Sequence, residues 1–141
     1  MYQEVITTQD EAVSHLFFHC CYKDGVFTED EINNISSKIV GTGINAELNF
    51  TEEIKKYKNY RAEIANEAQY LSFLVNLIRP TNELALFSYC VELLLSDSSI
   101  ETSEQNLLEN LADALGLEEM EKKSVQKLMV QRKIVETQKI I

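Results

Sequence analysis

Apolar residues recur along this chain at helical spacing. The segment from Gln9 to Lys23 carries them at intervals of three and four, at Val13, Leu16, Phe17 and Cys20. Thr8 followed by Glu11 matches the Thr-x-x-Glu capping box, which predicts where this helix begins. The turn residues Asp24 and Gly25 end it. We therefore expect a first helix over about residues 9–23.

A second helix is predicted after Thr28, because Glu31 three residues later completes another capping box. The pair Gly41 and Gly43 ends it, and residues 44–49 are predicted to form a loop. The next segment, 51–78, carries an almost heptad apolar stripe interrupted by Arg61: Ile54, Tyr57, Ile64, Ala68, Leu71, Val75 and Ile78. This pattern fits either one long helix or two helices with a bend near Tyr60.

Three further helices are predicted beyond Pro80, which cannot continue a helix. They span about residues 82–96, 102–115 and 118–138, and Gly116 is the expected stop between the last two. In the terminal helix we expect the inward face to consist of Val125, Leu128, Met129 and either Ile134 or Val135. With one proline and four glycines in 141 residues, the composition favours a single all-α domain.

An internal repeat relates two parts of the chain at a constant offset of 73 residues. Under this offset Asp24 aligns with Asp97, and Glu31 aligns with Glu104. Each copy consists of an apolar helix, an Asp, a bulky apolar residue and a Glu seven positions after the Asp. Duplicated helix pairs commonly pack about a pseudo-twofold axis, so we expect the two acidic loops to lie near each other.

The loop sequence KDGVFTEDE, with apolar helices on both sides, resembles the signature of the tellurite-resistance TerB family, and SDSSIETSE resembles that family's second repeat. The resemblance covers about residues 10–136. It implies a compact all-α bundle of about seven helices, and divalent-cation binding linked to metal-ion or envelope stress. Ser98 stands where the family usually has glycine.

The charge of the chain restricts its partners. The formal net charge is −10, but residues from 122 onward carry +5 and the remainder carries −15. A polyanionic surface repels phosphate backbones and anionic lipid, so we expect no nucleic-acid partner. No apolar run is long enough to span a bilayer. The N-terminus does not read as a signal peptide, and three cysteines without CxxC spacing suit reduced thiols in the cytoplasm.

The acidic loops offer the chemistry of a cation site. Hard divalent cations prefer carboxylate and carbonyl oxygens, and the repeat supplies four carboxylates, from Asp24, Glu31, Asp97 and Glu104. The Asp-to-Glu spacing is not that of an EF-hand, so we expect only weak Ca²⁺ or Mg²⁺ binding. The alternative is that these acids serve turns and helix N-termini alone.

Other constellations are weaker. His15 and His19 share a helix face, but no third metal ligand has a readable spacing, and we expect both at the boundary between core and solvent. No nucleophile has evident His–carboxylate support, and no phosphate-binding glycine loop occurs, so we expect no enzyme.

We therefore predict one domain over residues 1–141. It comprises a first repeat unit (about 10–41), connecting helices (about 50–79), a second unit (about 82–116) and a terminal helix (about 118–138). The expected function is a cation-responsive stress module. The alternative is a protein-interaction or self-associating module whose acidic loops are purely structural.

Overall fold

The computed structural model describes residues 2–22, 35, 48–95 and 100–137. Within these ranges the chain forms seven α-helices and no strand, which confirms the all-α prediction. The helices are α1 (Tyr2–Val5), α2 (Gln9–Cys21), α3 (Phe50–Tyr60), α4 (Glu67–Ile78), α5 (Glu83–Leu94), α6 (Thr102–Leu115) and α7 (Glu119–Thr137).

Helix α2 begins where the capping box predicts. The Thr8 amide donates to Glu11 Oε1 over 3.1 Å, and the Glu11 amide donates to Thr8 Oγ1 over 3.2 Å. These two bonds satisfy amides that have no intrahelical partner. The helix ends at Cys21, two residues earlier than predicted, and Tyr22 is its C-cap.

Helix α2 is the centre of the described fold. Ten consecutive residues, from Ala12 to Cys21, are buried. They are covered by α3, α4 and α5, which all pack against α2. Helix α4 also packs on α6, and α5 packs on both α6 and α7. A helix buried on all sides has no solvent face for polar residues, so His15 and His19 need partners inside the protein, whereas the buried Ser14 hydroxyl has no hydrogen-bond partner among the described residues.

The segment 51–78 consists of two helices, which resolves the alternative that the sequence left open. A 3₁₀ turn over Arg61–Glu63 follows α3, and Asn66 then caps α4 by accepting from the Gln69 amide over 3.0 Å. Because the helical phase restarts at Asn66, the predicted stripe does not continue unbroken. Tyr57 and Leu71 are buried as expected, whereas Ala68 is exposed.

The terminal helix corrects another part of the prediction. Val125 and Met129 pack against the core, and of the two alternatives Ile134 is half-buried while Val135 is 75% exposed, but Leu128, which was expected inside, is 60% exposed. Apolar residues occur on two faces of α7, and only one of these faces meets α5. The sequence period identifies both faces as apolar but does not say which one the core covers.

Several predicted features lie wholly or partly outside the described residues. Most of the helix predicted after Thr28 is among them, although Ile35 is helical and fully buried. Helices α2 and α5 end at Cys21 and Leu94, which are related by the offset of the proposed repeat. The repeat itself stays a prediction, because the first-copy equivalent of α6 is not described beyond Ile35.

Two further observations concern the cysteines and the lengths of the helices. All three cysteines are free and buried: Cys20, Cys21 and Cys90. In the part of the chain that the structure describes, no helix combines the length and the apolar character needed to cross a bilayer.

Gly116 ends α6 in the left-handed region, with φ of 71°. A β-carbon at this position would meet no atom within 4 Å, so the cost of a side chain is one of backbone conformation. We expect Gly116→Ala to lower the free energy of unfolding by about 1 kcal/mol. Gly116→Asn should lower it less, since Asn tolerates this region. Urea denaturation measures the free energy of unfolding of both variants. A Gly116→Ala variant as stable as the wild type would contradict the expectation.

Candidate functional site

His15 lies at the centre of a buried hydrogen-bonded chain. Its Nε2 is 2.9 Å from Glu53 Oε1, and its Nδ1 is 2.6 Å from the Tyr60 hydroxyl. The Tyr60 hydroxyl in turn lies 2.5 Å from the Tyr70 hydroxyl. The His15 side chain is fully buried, and Glu53 is only 4% exposed. Every one of these polar groups is therefore satisfied by another side chain rather than by solvent.

The protons of this chain can be assigned from its chemistry. Burial lowers the pKa of His15, and the Glu53 carboxylate opposes this only in part, so the ring is neutral near pH 7. A neutral imidazole donates from one nitrogen and accepts at the other. Nε2 donates to the Glu53 carboxylate, Nδ1 accepts from Tyr60, and Tyr60 accepts from Tyr70. The second Glu53 oxygen accepts from Lys56 Nζ over 2.9 Å, and this bond raises the pKa of Lys56.

His19, one turn further along α2, forms a second chain of the same type. Its Nε2 is 2.8 Å from Glu67 Oε2, and its Nδ1 is 2.9 Å from the Tyr57 hydroxyl. His19 is 6% exposed, whereas the side chain of Glu67 is 20% exposed. The second chain therefore reaches closer to the protein surface than the first.

We call these two sets the Glu–His–Tyr chains: Glu53, His15 and Tyr60, and Glu67, His19 and Tyr57. Together they join α2 to α3 and α4. The spacing of four between the histidines places both on one face of α2, and Glu53, Tyr57 and Tyr60 share one face of α3. The break at Arg61–Glu63 then allows Glu67, at the start of α4, to reach His19.

The expectation that both histidines lie at the boundary of the core is wrong. They are buried because apolar residues occupy every face of α2, which leaves no side of the helix for solvent. Their partners Glu53, Tyr57 and Tyr60 were missed. Glu53 and Tyr60 belonged to no predicted site, and Tyr57 was interpreted as a core residue. The signal available in the sequence was the matched spacing of four on both helices.

The order carboxylate–imidazole–hydroxyl is also that of a catalytic triad. Here the hydroxyls are phenols, and burial raises the pKa of both Tyr57 and Tyr60 well above the ordinary value; for Tyr57 the nearby Arg61 opposes this in part. A phenol with a raised pKa is a poor nucleophile and a poor base at neutral pH. The arrangement is suited to holding three helices in register.

An open cavity of about 510 Å³ adjoins the second chain. We call it the end cavity, because it lies where α2 ends and α6 begins. It is lined by His19, Tyr22, Tyr57, Arg61, Ala62, Ile64, Ala65, Glu67 and Ser103. Tyr22 is the last described residue before the first acidic loop, and Ser103 directly precedes Glu104. Residues from both predicted repeat units therefore line one cavity.

Arg61 covers part of this cavity. Its guanidinium lies 4.3 Å from the centroid of the Tyr22 ring, and Nη2 donates to the Tyr22 carbonyl over 3.0 Å. This carbonyl lies at the C-terminus of α2, where intrahelical donors are lacking. The interruption that Arg61 makes in the apolar stripe is therefore explained by its contact with the end of α2.

Of the four predicted cation ligands, only Glu104 is described. Its Oε1 accepts from the Glu101 amide over 2.8 Å, so this carboxylate caps α6, with Glu101 as the N-cap residue. Asp24, Glu31 and Asp97 lie outside the described residues. Among the residues that are described, no three His, Cys, Asp or Glu side chains are grouped closely enough to hold a metal ion. The four-carboxylate site stays a prediction.

The first Glu–His–Tyr chain should make stability depend on pH. The pKa of His15 is lowered in the folded protein, whereas in the unfolded chain it is about 6.5. The unfolded state therefore binds more protons below this value, and the free energy of unfolding should fall as pH drops from 7 to 5. Urea denaturation of wild type and His15→Gln across this range measures the effect. An equal slope for both proteins would exclude His15 as its source.

Removing one hydroxyl should expose the cost of an unsatisfied buried group. Tyr60→Phe leaves His15 Nδ1 without its donor and Tyr70 without its acceptor, so we expect a loss of about 1–3 kcal/mol. Tyr2→Phe is the control, because Tyr2 packs its ring against Tyr70 but belongs to neither chain. Thermal and urea denaturation report both variants; equal losses would show that the hydroxyl of Tyr60 has no special role.

Comparisons with known proteins agree with the architecture. The family model described as "Tellurite resistance protein TerB" matches residues 10–127, which include α2 to α6 and the first part of α7. No curated protein and no solved structure gives a significant match. Because the family model covers most of the chain, including both Glu–His–Tyr chains and both acidic loops, the protein belongs to the TerB family.

Proposed function

We propose that this TerB-family protein is a non-enzymatic module that binds a divalent cation through its two acidic loops and acts in the response to metal-ion or envelope stress. The observation that supports this most directly is the end cavity, which is lined by Tyr22 at the end of α2 and by Ser103 at the start of α6. Asp24 follows Tyr22 by two residues, and Glu104 follows Ser103 by one. Carboxylates that follow two residues lining one cavity suit a shared cation.

The electrostatics of the chain favour the same reading. The residues before 122 carry a net charge of −15, and a bound divalent cation reduces the repulsion among them. The capping role of Glu104 does not oppose coordination, because a carboxylate has two oxygens with about four lone-pair sites. The C-terminal end of α2, from which the chain continues to Asp24, carries the negative end of the helix dipole, which favours a cation.

The Glu–His–Tyr chains have a mechanical role in this proposal. They fix α2 against α3 and α4 within one or two turns of the first loop, and Arg61 holds the carbonyl of Tyr22. A loop that leaves a fixed helix end loses less conformational entropy when it orders around an ion. The raised pKa values of Tyr57 and Tyr60 support a structural rather than a catalytic use. The three buried thiols suit a reducing compartment, so we place the protein in the cytoplasm.

Thermal denaturation in the presence of millimolar Ca²⁺, Mg²⁺, Mn²⁺ or Zn²⁺ tests the cation site. At a free ion concentration ten times the dissociation constant, mass action should stabilise the wild type by about 1.4 kcal/mol. For a chain of this length the melting temperature should rise by about 3–5 °C. The double variant Asp24→Asn with Asp97→Asn should show no such rise.

The matched control is Glu63→Gln with Glu118→Gln, which changes the net charge equally at two exposed positions outside the loops. It should respond to the cation as the wild type does. Equal shifts in all three proteins would mean non-specific screening and would overturn the proposal. If none of the three proteins, including the wild type, shows a higher melting temperature with the cation, the acidic loops are purely structural, as the interaction alternative requires.

A further inference from the structure

The outward face of α7 carries an unusual stripe. The large apolar side chains that are strongly exposed in the described residues all belong to this helix: Met120 is 79% exposed, Leu128 is 60% and Val135 is 75%. Between them lie Ser124 and Gln131, which are also exposed. At 3.6 residues per turn these five positions fall within about 80° of the helix circumference. The outward stripe is therefore narrow, uncharged and about 22 Å long.

The opposite face of α7 is already used. Val125, Met129 and Val130 pack against the core, and α5 is the main neighbour of α7 among the described helices. Lys122 is buried and donates to the carboxylates of Glu109 and Glu119. Because this inner face holds α7 in place, the outward stripe is not needed for packing within the described part of the chain.

The order of residues in the stripe reads the same from both ends. It is apolar, polar, apolar, polar, apolar, with Leu128 in the middle. In an antiparallel pair whose twofold axis passes between residues 127 and 128, Met120 lies level with Val135 and Ser124 with Gln131, and the two Leu128 residues are offset by only about 1.5 Å along the helices. Apolar residues then contact apolar residues, and the two polar side chains can hydrogen-bond to each other. A surface that matches itself under a twofold rotation is what an isologous dimer requires.

The charges beside the stripe favour the antiparallel arrangement over the parallel one. Lys123 and Lys127 flank one side, and Glu121 and Arg132 flank the other. In a parallel pair the two different sides meet, which brings Lys127 near Arg132 of the second copy. In an antiparallel pair like sides meet, so Glu121, whose Oε1 accepts from the Glu118 amide, offers its other carboxylate oxygen to Arg132 of the second copy, and only Lys127 meets its own equivalent. One repulsive contact then stands against two attractive ones.

We infer that the outward stripe of α7 is a self-association surface, on which a second copy of this chain docks its own α7 antiparallel, with Leu128 at the twofold axis. This inference does not depend on the cation site. Three apolar layers bury little area, so the dimer is weak and forms with increasing concentration. Both copies carry a net charge of −10, and this repulsion outweighs the two exposed Glu121–Arg132 pairs, each of which contributes little, so added salt strengthens the dimer.

The effect of salt distinguishes a second copy of this chain from an acidic partner helix on the same surface. An acidic partner helix docked between Lys123, Lys127 and Arg132 would be held by opposite charges, and salt would weaken that complex. Sedimentation equilibrium of the wild type at about 0.05 and 0.5 M NaCl shows whether salt raises or lowers the dissociation constant of the dimer. A dimer that strengthens at the higher concentration is expected. A wild type that stays monomeric up to millimolar concentration, or a dimer that salt dissociates, would overturn the inference.

A variant pair locates the surface. Leu128→Lys places a charge on the twofold axis and should abolish the dimer at every concentration. Gln69→Lys makes the same change of charge at an exposed position of α4 and should leave the dimer intact. Because Leu128 is exposed, its substitution should not lower the melting temperature of the monomer. Measuring this temperature checks that the variant folds. Retention of the dimer by Leu128→Lys would contradict the inference.

Cross-linking tests the register. The native cysteines are buried, so a new surface cysteine is the thiol that a short thiol-reactive cross-linker reaches first. Leu128→Cys should cross-link to itself. Ser124→Cys and Gln131→Cys should each cross-link poorly alone but readily when mixed, because these positions meet across the axis. Efficient self-linking of Ser124→Cys would instead show a parallel pair and would overturn the antiparallel assignment.

Discussion

Two histidines in a fully buried helix determine how the neighbouring helices pack in this structure. Helix α2 is buried along ten consecutive residues, so His15 and His19 had to find all their hydrogen-bonding partners within the protein. An unsatisfied buried polar group is costly, whereas a satisfied one specifies a unique arrangement. The Glu–His–Tyr chains therefore fix the rotation of α2 and its register against α3 and α4. A slip of α2 by one turn would leave a carboxylate without its imidazole.

The break between α3 and α4 is what makes two chains fit. In a single straight helix over 51–78, Glu67 would share a face with Glu53 but lie about 21 Å further along the axis, whereas His19 lies only about 6 Å along α2 from His15. The 3₁₀ turn over Arg61–Glu63 redirects the chain, and Asn66 starts a new helix with its own phase. The same turn places Arg61 over Tyr22, at the helix end that leads into the first acidic loop. One irregularity thus serves both the buried chains and the end cavity.

Much of the fold was predictable because its signals are local. The capping box at Thr8 and the stop at Gly116 appear where the sequence placed them, and the all-α class followed from composition and period. Long-range features were not predictable in the same way. The partners of His15 lie 38 and 45 residues away in the chain, and a periodic pattern does not name them. The exposure of Leu128 was missed for a related reason, since α7 has two apolar faces and the period alone does not choose between them.

The distance along the chain between the histidines and their partners has a consequence for biosynthesis. The bonds of His15 and His19 connect residues 38 to 48 positions apart, so α2 leaves the ribosome before the residues of α3 and α4 that pair with it. During that interval its aromatic and aliphatic side chains have no partner helix to cover them, and such surfaces attract other nascent chains. Synthesis must also pass Tyr70 before the Tyr60 hydroxyl has its hydrogen-bond donor. The central helix is therefore made early but folds late, and the vulnerable period of this protein lies within its own translation.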